Sequence, residues 1–118
     1  MTADLFVGFE KKPIGLEGFL RREKYTHAER LKRSECVLYT RPQNPWPQVF
    51  YDKHPLPVRD DEVPHWKKAG FRVVAEVNVN YHNSDLEAAE EAERLSEKLA
   101  KKFNGILYDT TLDSYIRI

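Results

Sequence analysis

Cysteine is almost absent from this chain of 118 residues, since Cys36 is the only one. A single cysteine excludes an intramolecular disulfide and any zinc site built from several cysteines. Its neighbours in SECVLYT are largely apolar, so we interpret Cys36 as a small buried hydrophobic residue. The fold must therefore be stabilised by its core, without covalent cross-links.

Glycine is also scarce, with five residues in the whole chain. The sequence contains no glycine-rich phosphate loop and no G-x-S-x-G nucleophile pattern. The histidines show none of the metal-binding spacings H-x-H, H-x-x-x-H or H-E-x-x-H. We therefore predict no cofactor, no metal site and no catalytic residue. The sequence favours a non-enzymatic protein without deciding the matter.

The chain has neither an excess of charge of one sign nor a long apolar run. Lys and Arg together number 19, as do Asp and Glu, so the formal net charge is zero, unlike that of a strongly basic nucleic-acid-binding protein. No apolar run approaches the ~18–20 residues of a membrane span. The N-terminus MTADLFVGFEKK lacks the basic start and apolar stretch of a signal peptide. We expect a soluble cytoplasmic protein without a membrane partner.

The spacing of the hydrophobic residues, 41% of the chain, predicts one α+β domain over residues 1–118. Strands are predicted at residues 4–10, 35–41, 48–53, 71–82, 105–109 and 114–118. A first helix is predicted after Pro13, with residues 26–34 extending it or forming a second helix. A short helix is expected within residues 62–70.

The clearest helix is predicted at residues 84–104. Ser84 and Glu87 form an S-x-x-E capping box, and Asn104-Gly105 provides a stop. If the strand near 48–53 is set aside, the order of elements is βαββαβ, the ferredoxin-like order. We therefore predict an antiparallel sheet with two main helices on one face, ferredoxin-like or a variant with an extra strand. The other face of such a sheet is open unless a partner covers it.

The longest predicted strand carries a row of polar side chains. In VVAEVNVNYHN, residues 73–83, apolar residues alternate with Glu76, Asn78, Asn80 and His82. If the apolar residues pack under the long helix, these four lie on the open face. Asparagine is a poor strand former, which favours a recognition surface, although an ordinary solvated sheet face also explains the polarity. We predict these four as binding residues.

Proline and tryptophan concentrate in residues 42–66, which hold six of the seven prolines and both tryptophans. Long irregular segments in compact domains are usually functional or mobile. Pro45-Trp46-Pro47 would present a stiff aromatic anchor to a partner. The alternative is that Trp46 and Trp66 only pack over an edge of the core. We add both tryptophans to the predicted binding residues.

Two other functions stay open. A small-ligand or metal-dependent enzyme would use His82 with Asp85, and Asp52 with His54, which are neighbours in the sequence. A nucleic-acid-binding protein would use residues 11–33, whose eight basic and three acidic residues give a local net charge of +5. The basic residues are Lys11, Lys12, Arg21, Arg22, Lys24, Arg30, Lys32 and Arg33. A solvated helix face explains this charge equally.

The segment AERLSEKLAKKFNGILYD, residues 92–109, combines an amphipathic helix, an Asn-Gly stop and a Tyr-Asp strand end. It resembles the last helix and strand of small bacterial α+β proteins, some of which are immunity proteins that neutralise a toxin. The resemblance transfers no functional residue to this chain. With the open polar face, it leads us to predict a protein-binding module, of the immunity type or of another kind. The partner is predicted to be another protein or a second copy of the chain.

Overall fold

The computed structural model of the protein describes residues 2–31, 35–56 and 58–118, which form seven β-strands and two α-helices. The strands are β1 (Thr2–Phe9), β2 (His27–Arg30), β3 (Cys36–Thr40), β4 (Gln48–Asp52), β5 (Ala75–His82), β6 (Ile106–Asp109) and β7 (Ser114–Arg117). The helices are α1 (Leu16–Arg22) and α2 (Leu86–Lys102). All strands belong to one antiparallel sheet in the order β2-β3-β4-β5-β1-β6-β7. The predicted α+β class is confirmed.

The main core lies between the helices and one face of the sheet. Along β5, every second residue is buried, beginning at Ala75 and continuing to Tyr81. Val77 and Val79 are fully buried and lie opposite Val7 and Leu5 of β1. Burying a valine or leucine side chain contributes about 1.5–3 kcal/mol relative to leaving it exposed. This alternation fixes which side chains of β5 point to the opposite face.

Helix α2 covers the core and packs against β1, β5 and β6. Its N-cap is Asp85, whose carboxylate accepts a hydrogen bond from the Ala88 amide at 3.1 Å. The predicted capping box at Ser84 is therefore wrong by one residue, because the aspartate provides the charged acceptor favoured at a helix N-terminus. The predicted stop is confirmed: Asn104 has a φ of 53°, and the Gly105 amide donates to the Ala100 carbonyl at 2.8 Å.

The chain after α1 differs from its prediction. Residues 27–30 form β2, antiparallel to β3 with Ala28 opposite Tyr39, where a helix was expected. Helix α1 ends because Lys24 adopts a φ of 77° and the Tyr25 amide donates to the Leu20 carbonyl. All four residues of β2 are exposed, so no apolar alternation marks the strand and only its pairing defines it. Residues 32–34 of the expected helix lie outside the described residues.

Two further expectations change in the structure. The sheet has more strands than a ferredoxin-like fold. The short helix expected within residues 62–70 is absent, since these residues, all described, form turns that end at Gly70 with a φ of 94°. His65 and Trp66 are held by contacts with the sheet, which override the local helical pattern. No helix in the described ranges is long and apolar enough to cross a membrane.

Candidate functional site

The sheet face opposite the helices carries Glu76, Asn78, Asn80 and His82, all half-buried, as the alternation predicts. These four side chains lie in different surroundings. The loop of residues 53–74, between β4 and β5, covers the end of the face at Glu76. We call the remaining part the open patch, which comprises Asp4, Leu38, Phe50, Asn78 and Asn80 and meets the covered end at Phe6.

The two asparagines of the open patch hold a carboxylate of the neighbouring strand. Asn78 and Asn80 both donate from Nδ2 to Oδ1 of Asp4 in β1, at 3.1 and 2.8 Å. The same amide groups also approach the backbone carbonyls of Leu5 and Ala3, at 3.2 and 3.3 Å. Within the described part of the chain, the side-chain oxygens of both asparagines accept no hydrogen bond. The asparagines thus order one negative charge and present further acceptors to solvent.

An apolar row crosses the same patch. Leu38, Phe50, Asn78 and Phe6 lie directly opposite one another across β3, β4, β5 and β1. Among the described residues, Leu38 and Phe50 are half-buried and belong to neither of the two hydrophobic clusters of the molecule. Two apolar side chains on neighbouring strands thus remain accessible on the β4 side of the two asparagines, which separate them from the Asp4 carboxylate.

Trp46 and His82 border the open patch at the end of β5. Their rings meet edge to face, with centroids 4.8 Å apart. Trp46 is half-buried and also packs against the main core, and its backbone carbonyl accepts a hydrogen bond from Arg41 at 2.6 Å. Asn44 accepts a hydrogen bond from the Trp46 amide. This tryptophan is therefore fixed in position with part of its ring accessible.

Trp66 has a different position, beneath the loop of residues 53–74. It is 9% exposed, and its Nε1 donates to Oε1 of Glu76 at 2.7 Å. The ring lies over Gly8 of β1, where an added Cβ would come within 2.9 Å of Trp66 Cζ2 and 2.8 Å of Val73 Cγ2. Gly8 therefore provides the space that lets the loop rest on the sheet.

A second hydrophobic cluster forms around Trp66. Its buried members are Trp66, Ile106 and Tyr108, and its half-buried members are Phe6, Phe71, Val73 and Tyr115. The Tyr115 hydroxyl accepts a hydrogen bond from the His65 amide at 2.8 Å, which ties the loop to β7. Val73 was expected on the helix side with the valines of β5, but it precedes the strand and packs here. The loop is thus a structural cover for one end of the sheet.

A cavity of about 860 Å³ opens between this loop and the sheet. Its walls include Leu56, Trp66, Phe71 and Val73, and Glu76 also lines it. The volume falls within the range of about 300–1,000 Å³ found for small-molecule sites. Sequence reasoning did not predict this cavity, because the course of the loop depends on contacts with β1 and β7.

Burial shifts the acidity of the groups at this end of the sheet. It raises the pKa of Glu76 above the usual value, an effect opposed by the hydrogen bond from Trp66 and increased by Asp52, which lies directly opposite on β4. The pKa of the Cys36 thiol is raised to about 11 by burial, with Asp52 and Glu76 adding to the effect. Cys36 is half-buried and the thiolate is disfavoured, which fits its interpretation as a small hydrophobic residue.

The residues of the enzyme alternative lie apart. Asp52 accepts a hydrogen bond from the backbone amide of His54, while Asp85 caps α2. Asp52 lies opposite Glu76, which is six residues before His82 on β5. At the usual rise per residue, this places Asp52 about 20 Å from His82 along the sheet. In the described ranges, no group of three His, Cys, Asp or Glu residues could hold a metal ion. The two sequence pairs therefore form no common site.

The basic segment is distributed over a loop, α1 and β2. The Lys12 ammonium donates to the backbone carbonyls of Lys53 and Val74, and Arg30 lies 3.9 Å from Glu35. The other described basic residues of the segment are exposed: Lys11, Arg21, Arg22 and Lys24. Lys32 and Arg33 lie outside the described residues. Nucleic-acid binding by this segment stays a prediction.

Comparison with known proteins brings no functional assignment. No protein-family model, curated protein or solved structure matches the chain. The candidate site therefore rests on its own geometry. Sequence reasoning missed Asp4, Leu38 and Phe50 as members of the open patch. The alternation within their strands was visible, but only the register between strands shows that they share one surface.

Proposed function

We propose that the protein is a protein-binding module and that the open patch is its contact surface. The observation that carries this proposal is the position of Leu38 and Phe50, which lie on the internal strands β3 and β4 outside both hydrophobic clusters. Apolar side chains at such a position gain free energy when a partner removes them from water, at about 25 cal/mol per Å² of apolar surface. Trp46 and His82 extend the surface at its border.

The chemistry of the patch defines the partner. The Asp4 carboxylate is fixed by Asn78 and Asn80, which use their amide nitrogens to do so. The groups that Asp4, Asn78 and Asn80 leave for a partner are acceptors, so a partner that contacts these three residues must donate. A protein surface that presents an arginine or lysine to Asp4 and an apolar group to Phe50 fits, because a charged donor pairs strongly with a carboxylate.

A partner protein fits this patch better than a second copy of the chain does. In a two-fold symmetric dimer through the patch, each Asp4 would face the same acceptor-rich surface of the other copy. Like charges placed opposite one another disfavour association. Self-association is therefore the second candidate. The prediction of an immunity-type role in the cytoplasm also stays, and its partner would be a toxin with a basic contact surface.

The finer description of the fold also belongs to this proposal. We infer that β1, β4, β5 and β6, together with the two helices, form a ferredoxin-like core to which β2, β3 and β7 are added. The order β4-β5-β1-β6 within the sheet supports this inference, as does the position of one helix after β1 and the other after β5. The additional strand in this arrangement is β3 and not, as predicted, the strand near residues 48–53, and β3 brings Leu38 beside Phe50 and so enlarges the open patch.

The test is capture of a partner by matched variants. The tagged protein is recovered from nuclease-treated lysate of its native host, and the complex is sized by chromatography with light scattering. Asp4→Asn removes the charge of the patch while retaining an acceptor for the two asparagines. Glu97→Gln, which changes an exposed residue of α2, removes the same charge from the helix side and is the control.

The proposal predicts a stoichiometric partner that Glu97→Gln retains. Asp4→Asn is expected to weaken its binding by at least about tenfold, the scale of one lost charged hydrogen bond. Phe50→Ala should weaken binding as well. A partner bound equally by all variants would place the contact elsewhere on the molecule. A dimer without a second protein would favour self-association instead.

A further inference from the structure

The cavity under the loop of residues 53–74 is separate from the open patch and independent of the proposed function. It opens between the loop and the Glu76 end of the sheet face, and its volume of about 860 Å³ would hold a small molecule. The loop is fastened to the sheet on both sides of Trp66, since the His65 amide donates to the Tyr115 hydroxyl of β7 and the Val74 amide donates to the Phe9 carbonyl of β1. The cavity wall is therefore held by hydrogen bonds, as a preformed site requires.

The walls of the cavity are mainly apolar. Trp66 and Pro64 are buried, and Phe71 and Val73 are half-buried. Leu56, at the outer side, is 85% exposed. A ligand with an apolar body would cover Leu56 and at the same time contact the aromatic rings of Trp66 and Phe71.

Glu76 provides the polar group of the cavity. One oxygen of its carboxylate accepts the indole hydrogen bond of Trp66. In the described part of the chain, the other oxygen, Oε2, has no hydrogen-bond donor, although it is not sealed from solvent. Asp52 lies directly opposite and adds a second negative charge nearby. A half-buried carboxylate with one oxygen unpartnered suits a ligand that donates and carries positive charge.

The other charges of the cavity lie at its rim. Lys67, Lys68 and Arg72 line it and are exposed, as is the acidic Asp60. Salt and water screen exposed charges strongly, whereas a carboxylate shielded from water is screened much less. The group beside Glu76 should therefore decide which ligand charge is accepted, and the rim should have the smaller effect.

We propose that this cavity binds a small organic cation, an amine with an apolar body. Its ammonium group would donate to Glu76 Oε2, and its body would lie against Trp66, Phe71 and Leu56.

Benzylamine, protonated at neutral pH, is the probe. Benzyl alcohol and benzoate have the same ring with a neutral or an anionic group. Each compound is titrated into the full-length ¹⁵N-labelled protein, and the indole N–H resonances are followed by NMR. The Trp66 resonance reports on the cavity, since this N–H touches Glu76. The Trp46 resonance, at the border of the open patch, is the internal reference.

The variants separate the role of Glu76 from that of general charge. Glu76→Gln keeps an oxygen that accepts from Trp66 but loses the charge. Glu97→Gln removes a charge from the exposed side of α2 and is the control. Asp52→Asn removes the neighbouring charge while keeping the Glu76 side chain, and it serves if Glu76→Gln does not fold.

The proposal predicts a saturable shift of the Trp66 resonance with benzylamine. Benzylamine should bind at least about tenfold more tightly than benzyl alcohol or benzoate, and Glu76→Gln should remove that advantage. Asp52→Asn should weaken the binding of benzylamine by a smaller factor, and Glu97→Gln should leave this binding unchanged. The proposal is overturned if benzylamine causes no saturable shift, if benzoate binds as tightly, or if both cavity variants bind benzylamine normally.

Discussion

Glu76 and Asn78 are two residues apart on β5 and point to the same face of the sheet, yet their surroundings are opposite. Glu76 lies under the loop, bonded to Trp66 beside a cavity. Asn78 lies in the open patch, where it holds the Asp4 carboxylate next to accessible apolar side chains. Polar residues in alternate positions of a strand thus define a face, but the loop above determines what each part of the face can do.

The two tryptophans show the same difference. Trp66 closes a hydrophobic cluster and is 9% exposed, whereas Trp46 is half-buried at the border of the open patch. Both belong to the same proline-rich segment, and their neighbours in the sequence do not distinguish them. If the comparison is right, substitutions at the covered end should affect folding, and substitutions at the open end should affect binding.

The largest effect is expected for Trp66→Ala. Removing this buried ring leaves a cavity over Gly8 and an unpartnered Glu76, and should lower the free energy of unfolding by about 3–5 kcal/mol. Trp46→Ala, at a half-buried position, is the matched variant and should cost clearly less. Urea unfolding followed by circular dichroism measures both. Equal losses would mean that the two tryptophans have the same structural role.

Gly8→Ala should have the next largest effect. The new methyl group would come within 3 Å of Val73 and Trp66, and crowding of this kind costs about 1–3 kcal/mol. Gly18→Ala is a control of opposite sign. In α1 an added Cβ meets only the flexible Arg22 side chain, at 3.4 Å, so alanine should stabilise by up to about 1 kcal/mol. The melting temperatures of the two variants should shift in opposite directions. An unchanged melting temperature for Gly8→Ala would contradict the packing of the loop against Gly8.

A smaller loss of stability is expected at the open end. Asn78→Ala or Asn80→Ala removes a hydrogen bond to Asp4, which should cost about 0.5–1.5 kcal/mol. Because both asparagines donate to the same oxygen, the effects in the double variant should not be additive. Asn83→Ala, in the exposed turn after β5, should change stability by less than about 0.5 kcal/mol. Chemical unfolding of these four variants tests whether the asparagines act as a pair.

The smallest effect is a dependence on pH. Because the folded-state pKa of Glu76 is raised above 4.5, the folded protein binds this proton more tightly than the unfolded chain does. The resulting stabilisation is complete below about pH 4.5 and is lost as the pH rises through the folded-state pKa. Relative to the wild type, Glu76→Gln should therefore gain stability as the pH rises above 4.5.

Urea unfolding between pH 4 and pH 8 measures this difference. Glu97→Gln, whose carboxylate is exposed on α2, should show no comparable trend. A constant difference between Glu76→Gln and the wild type over this range would mean that Glu76 titrates at its ordinary pKa, and hence that the loop does not shield it from water.

The sequence was sufficient for elements with strong periodicity. The apolar spacing of α2 and the alternation of β5 predicted both elements and the face on which Glu76, Asn78, Asn80 and His82 lie. The exposed strand β2 could not be predicted, because its residues show no pattern and its pairing partner follows later in the chain. The cap at Asp85 was misassigned because Ser84 also fits a capping pattern.

The candidate site was predicted less completely than the fold. Asp4 and Asn78 are 74 residues apart, and only the register between β1 and β5 brings them into contact. The covering of Glu76 depends on a loop whose path is fixed by Gly8 and Tyr115. Composition marked residues 42–66 as unusual, but it could not tell which tryptophan is buried.

The most direct test of the difference between the two ends is hydrogen exchange of the two indole N–H groups, measured by NMR. The Trp66 N–H is hydrogen-bonded to Glu76 beneath the loop, so it should exchange at least about tenfold more slowly than that of Trp46. Gly8→Ala, which displaces the loop, should remove this protection, whereas Gly18→Ala should retain it. Equal exchange rates in the wild type would show that the loop does not cover the sheet, and would contradict both the distinction between the two ends and the cavity proposed beneath the loop.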